Sequence, residues 1–389
     1  MLFALVVFVV SAAPPEVFDC KARKCRASKQ KGDVWKVTLP KVKRDDGVEC
    51  REAPEEYWLV PKSGPAQLLL EVCNDGYGAS GVGEDSIDIT ANGFKHSRYG
   101  GSAWRWTSAT ELAFSPLRVV SESESNFNAT MPGFTKESSW NWDTFRGKQV
   151  DEVAKCRPDG SPDIDSEESV HIESSPVPVV LLSDAFRNGG WKTTSLGACS
   201  VPASFVTFGK QSGKNDASLS AIATFPEKAA RELYLEVRDD AFVTEATKWT
   251  LADHVELWFA SSAGAWDECV GTRGGVQFGV SLDGKVNVGF GEPNASALSV
   301  EVARADGVVR MKVLLTGLPD DFVGIVYSDS DDGKKQKALL ATSQLKFASV
   351  PTFSGWKKFP RDIAACDVSD GALKPKNTRV FEPKTAVIE

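Results

Sequence analysis

Residues 68–89, LLLEVCNDGYGASGVGEDSIDI, and residues 233–257, LYLEVRDDAFVTEATKWTLADHVEL, carry one arrangement twice. In each, an apolar strand containing Leu-Glu-Val runs into a paired Asn/Asp-Asp step, then a small residue and an aromatic. After a variable loop an Asp opens a second alternating run, Asp85-Ser86-Ile87-Asp88-Ile89 in the first copy and Asp253-His254-Val255-Glu256-Leu257 in the second. Strand residues alternate between faces, so Val255, Leu257 and Phe259 share one side while His254, Glu256 and Trp258 share the other. The apolar side is expected to pack a core, with the acids gathered where one strand ends and the next begins. Two domains of similar β fold explain the repeat economically. The alternative is chance likeness between two hairpin-like segments.

The rest of the chain reads the same way. Runs such as DVWKVTLPKV, EYWLVP, ASFVTFG, VQFGVSL and FVGIVYS are short, rich in β-branched and aromatic residues, and bounded by Gly, Pro, Asn or Asp. Long helical periodicity is nearly absent. Many short strands with frequent turn signals predict an all-β protein made of two antiparallel, jelly-roll-like β-sandwich domains in tandem. The stretch RPDGSPDIDSEESVHIESSPVPV, rich in Pro, Ser and acid, marks a break. The expected organisation is an N-terminal sandwich over 13–160, a linker over 161–176, a second sandwich over 177–366 and a polar tail over 367–389.

Composition narrows the function classes. A net charge of -8 disfavours a nucleic-acid binder, which needs a surplus of Lys and Arg to neutralise phosphates. The N-terminal MLFALVVFVVSAAPPE has an apolar run and a small-residue site, as in a secretory signal peptide over residues 1–12, although no Lys or Arg precedes the run. It is too short to span a bilayer, and no other segment reads as transmembrane. A secreted or periplasmic monomer is expected. Eight Cys suit an oxidising compartment, but their pairing is open among 105 connectivities. Between Lys21 and Arg44 ten Lys or Arg face one acid, Asp33. That asymmetry suits an anionic envelope polysaccharide or, more plainly, a strand edge guarded by Lys.

From Ala217 onward the chain resembles the family 9 carbohydrate-binding modules and their DOMON-like β-sandwich relatives. ASLSAIATF, ELYLEVRDDAF, DHVELWF and the late strand with its aspartate-rich turn from Tyr327 to Gly333 carry the resemblance, in order. It implies a sandwich that holds sugar between aromatic side chains, often with structural calcium. No catalytic domain accompanies the module, and no motif marks the aromatic clamp. Trp249 and Trp266, in loops flanking the HVELWF strand, are the stacking candidates, with Glu256 as a polar partner. They could equally close the core edge. In the N-terminal part, Trp104 and Trp106 share a strand face and form either a flat platform or a core ridge.

Asp239, Asp240 and Asp253 could give calcium hard oxygen ligands, since crowded carboxylates need a cation or several N–H donors. GYGASG at Gly76, Gly78 and Gly81 lacks the following helix that a dinucleotide site needs. Three scattered His exclude a histidine metal centre, and no catalytic Ser or Cys arrangement is present. The reading is an exported, non-catalytic carbohydrate-binding protein. Its rivals are a secreted polysaccharide-active enzyme with a catalytic N-terminal domain, and an envelope or protein-interaction scaffold. An aromatic-walled cleft, a pair of facing carboxylates, or flat sheet faces would separate the three.

Overall fold

The expected strands form, and they divide into two compact units, residues 1–120 with 380–389 and residues 121–379. The structure is a computed structural model that describes residues 16–41, 50, 52–74, 83–130, 134–154, 157, 163, 169–211, 213, 216–226, 230–260, 275–291, 294–318, 322–347, 350–351, 354–381 and 384–388. The expected signal peptide and Trp266 lie outside these residues. Among the described residues no helix is long and apolar enough to cross a membrane.

In the first unit one sheet runs in the order Arg26–Lys29, Val34–Thr38, Glu55–Leu59, Gln67–Asn74 and Lys384–Ile388. All its pairings are antiparallel except the last, which is parallel. The expected C-terminal tail thus supplies a strand of the first unit, and the second unit is an insertion between residues 120 and 380. An antiparallel meander of Glu84–Ile89, Gly93–Gly101 and Trp104–Phe114 forms the other layer. Tyr57 meets Phe94 across the layers at 5.9 Å between ring centroids. The edge strand Arg26–Lys29 exposes Arg26 and Lys29, charges that discourage pairing with a further strand.

The second unit begins inside the Leu117–Asn128 strand, which meanders on through Phe134–Asn141, Arg146–Ala154 and Ser169–Ser174. The segment expected as a linker therefore contains, in its described part, a paired strand. A sandwich follows. One of its sheets orders Val177–Val179, Ala217–Thr224, Arg231–Asp239, Val308–Leu315 and Leu298–Ala305. The opposing sheet orders Val286–Phe290, Val276–Ser281, His254–Ala260, Phe322–Asp329, Ala338–Ala341 and Phe205–Gly209. Ser354–Lys358 pairs with a strand of each and joins them along one side.

The core between these sheets takes the residues that alternation assigns to it. Leu233, Leu235 and Val237 face Val255, Leu257 and Phe259, with Val309, Met311, Val313, Ile325 and Tyr327 around them. Each such buried side chain contributes about 1.5–3 kcal/mol. The outer face of the Arg231–Asp239 sheet is covered by the segment from Asp184 to Cys199. Arg187 forks onto Glu232 at 2.8 and 3.0 Å, Phe186 packs on Tyr234, and Glu236 binds Arg310 at 2.9 Å and the Ser195 hydroxyl at 3.1 Å. The far face of the other sheet is closed in part as well, with Trp258, Ala260, Val326, Leu339 and Ala341 buried together.

Cys20 pairs with Cys25 and Cys50 with Cys73 in the first unit, and Cys199 with Cys366 in the second. Cys156 and Cys269 lie outside the described residues. The Cys199–Cys366 bridge spans 167 residues, so it removes much loop freedom from the unfolded chain. Replacing both cysteines by Ser is expected to cost the second unit about 2–5 kcal/mol, read as a lower denaturant midpoint. An unchanged midpoint would show that the bridge adds nothing to the core.

Candidate functional site

Three aspartates stand in core phase at one end of the sandwich. Asp239 continues the inward series Leu233, Leu235, Val237, Asp253 precedes Val255, Leu257, Phe259, and Asp329 follows Val323, Ile325, Tyr327. All three are buried, and one oxygen from each lies within 4.8 Å of the others. Asp253 accepts the Val243 amide at 2.6 Å and the Ser330 amide at 2.7 Å. Asp239 accepts the Ala241 amide at 2.9 Å and the Tyr327 hydroxyl at 2.6 Å. Among the described residues neither oxygen of Asp329 has a hydrogen-bond partner.

Burial raises all three carboxyls. It pushes Asp253 up to about 7 against the pull of its two amides, with Asp239 and Asp329 adding to the rise. Burial and then Asp239 push Asp329 up to about 7 as well, against Lys337. Asp239 is raised too, by burial first and by neighbouring acids after it. Beside them Lys337 lies 2.5 Å from Asp216 and 2.7 Å from Asp331, so a side-chain cation already serves that outer pair.

The donor set fits a hard cation. Calcium takes carboxylate oxygens at about 2.4 Å, so oxygens on opposite sides of it stand about 4.8 Å apart. Oxygens within that limit of one another are compatible with a shared ion, and the partnerless oxygens of Asp329 are what such an ion would satisfy. Two of the expected ligands, Asp239 and Asp253, are therefore brought together. Asp240 is out of phase with the core, exposed, and outside the cluster. Asp329 takes the third place. It was legible as an acid in phase with Val323, Ile325 and Tyr327, but SDSDDG over 328–333, which contains it, reads first as a turn. That turn is present, with Asp332 accepting the Lys334 and Lys335 amides and Gly333 at φ +66.

The face of the opposing sheet turned away from the main core holds the expected polar and aromatic residues, with His254 and Trp258 buried and Glu256 half-buried. Glu256 accepts from the Trp258 indole at 2.9 Å, and His254 Nε2 stands 3.5 Å from it. Burial alone would raise Glu256, yet the neighbouring His254 and the hydrogen bonds of Trp258 and Gln277 hold it below the ordinary range. His254 Nδ1 lies 2.7 Å from the Ala252 carbonyl, so that nitrogen carries the proton. Trp249 is half-buried, stands edge-on to His254 at 4.9 Å, and spreads over Gly279. A Cβ at Gly279 would come within 2.1 Å of that ring, so only glycine seats it. Phe290, 47% exposed, lies 6.2 Å from the buried Trp258 at the far side of the same face. Sequence reasoning passed over Phe290 and Gln277, which reach this face only through strand pairing.

Trp104 and Trp106 lie in the first unit. Trp104 is 55% exposed, while the Trp106 ring covers Gly100 with the Arg98 guanidinium 5.3 Å from its centroid. On the same face Asp85 binds His96 at 2.5 Å and Arg98 at 3.6 Å.

The raised carboxyls set a pH dependence. A carboxyl lifted from about 4 to about 7 on folding stabilises the fold while protonated, and that contribution is lost as pH rises through 7. In chelator, the second unit's melting temperature is expected to fall by roughly 5 °C or more from pH 5.5 to 8. Asp329→Asn should flatten the slope. A melting temperature that rises over this window would contradict the assignment.

No protein-family model matches the chain, and no curated protein matches it. Among solved structures, a family 9 carbohydrate-binding module from Caldicellulosiruptor kristjanssonii in complex with glucose is similar at a TM-score of 0.36 and 11% identity, covering 48% of this chain and 96% of that one. A module of that family and organism in complex with cellotriose gives a TM-score of 0.32 and 9% identity, covering 48% and 94%. The likeness is one of fold.

Proposed function

We propose that the protein is an exported, non-catalytic carbohydrate-binding protein. Its second unit presents the sugar surface on the outer face of the His254–Ala260 sheet, and calcium at Asp239, Asp253 and Asp329 fastens the adjoining loops. The observation that carries this reading is Trp249, a half-exposed ring fixed on Gly279 beside Glu256 and Gln277. Sugar rings offer apolar C–H faces to aromatic rings and hydroxyls to polar neighbours. Phe290 supplies a second exposed ring on the same face. Export is supported by the apolar run at the N-terminus and by the disulfides, which persist in oxidising compartments.

Calcium belongs to the same proposal because of where the carboxylates reach. Asp253 holds Val243 and Ser330, so its charge state governs the loop that carries Trp249. An ion among the three acids would replace the protons that otherwise neutralise them. Saturating calcium at 100 times its dissociation constant adds about 2.7 kcal/mol of stability. The gain is expected at pH 8 and should shrink at pH 5.5, where protons compete.

Isothermal titration with cellotriose, in calcium and in chelator, tests the reading. Wild type should bind, and Trp249→Ala should weaken binding tenfold or more. The variant's loss of stability should stay well under the ~3–5 kcal/mol of a core Trp. Absence of binding to cellotriose and to every neutral glycan on an array would sink the proposal, as would a Trp249→Ala protein that binds like wild type. No rise in melting temperature at millimolar calcium and pH 8 would remove the calcium part alone.

A further inference from the structure

A cleft of about 350 Å³ opens elsewhere on the second unit, over the face of the meander. That volume lies at the lower end of small-ligand sites, ~300–1,000 Å³. Its floor is a polar row in register across three strands, Glu124 opposite Ser138 and Ser138 opposite Gln149. Trp140, one pair further along, lies over Gly147, where a Cβ would come within 1.9 Å of the ring. Trp356 and Lys357 line the cleft from the Ser354–Lys358 strand.

Lys357 is half-buried, with Nζ 4.6 Å from the Trp140 ring centroid and 6.0 Å from that of Phe359. Among the described residues no carboxylate lies within ion-pair distance of it. Burial draws its amine below the usual lysine range even though Glu122 and Glu124 oppose the shift. The Trp356 indole N–H is also buried without an acceptor. Donors taken from water without partners are costly, and rings compensate an ammonium only in part. The cleft is thus short of an acceptor beside Lys357, while its floor offers hydroxyl partners.

We infer that this cleft binds a sugar acid, with the ligand carboxylate on Lys357 Nζ and its hydroxyls on Ser138, Gln149 and Glu124. A singly charged ligand with hydroxyl donors suits the floor, because Glu124 accepts from hydroxyls but repels a phosphate dianion. A charge-assisted bond to a half-buried ammonium is stronger than a neutral one. The site stands on its own donors and shares no residue with the Trp249 surface.

The test titrates digalacturonate and neutral galactobiose into the full chain at pH 6 and low salt. Wild type should bind the acid at least tenfold more tightly than the neutral sugar. Lys357→Met should remove that preference, and Lys357→Arg should retain part of it. Equal binding of the two sugars, no binding of either, or a preference that survives Lys357→Met overturns the inference. The wild-type comparison decides even if Lys357→Met fails to fold. Loss of cellotriose binding in Trp249→Ala reports on the other surface alone.

Discussion

Three carboxylates built into the apolar alternation of three strands set the terms for the second unit. An inward position at a strand end is a place for Val or Leu, and a charge there must be neutralised before the sheets can close. Asp239, Asp253 and Asp329 meet that demand with amides, a tyrosine hydroxyl and raised proton affinity, and Asp329 has no hydrogen-bond partner among the described residues. The first unit solves the same problem differently. Asp85 opens its strand in the same phase, and His96 and Arg98 stand against it as partners. One unit sets basic side chains against its inward acid, and the other leaves Asp329 without a hydrogen-bond partner among the described residues.

That constraint extends to the sheet's outer face. Asp253 is tied to Val243 and Ser330, and Trp249 lies between Val243 and Asp253 in the chain. The loop is therefore pinned at its end by the acid and at its ring by Gly279. Small motions of the cluster reach a half-exposed aromatic with little slack between them. The opposite sheet has no such freedom, because Arg187, Glu232, Glu236 and Arg310 lock a cover over it.

Much of this was legible in the sequence. Alternation assigned Val255, Leu257 and Phe259 to the core and His254, Glu256 and Trp258 to the other face. It paired Asp239 with Asp253 because each sits at the end of a readable strand. It missed Asp329, since SDSDDG announces a turn more loudly than Val323, Ile325 and Tyr327 announce a phase. Cysteine pairing was beyond reach, for Cys199 and Cys366 meet only through tertiary structure. Lys384–Ile388 was passed over as tail because its partner strand, Gln67–Asn74, is far away in sequence. Trp142 is buried and Trp140 lines a cleft, a distinction that only packing makes.

The parallel pairing of Lys384–Ile388 with Gln67–Asn74 has a consequence for how the chain is made. A ribosome releases Asn74 long before it reaches Lys384, and at 5–20 residues per second the gap is roughly 15–60 s. Through that interval the nascent first sheet has an unpaired border while the whole inserted unit is being threaded and folded. An uncovered strand border invites pairing with other chains. Vectorial synthesis therefore makes completion of the earliest-made layer a late event, and places its greatest exposure to misassembly before Lys384–Ile388 emerges.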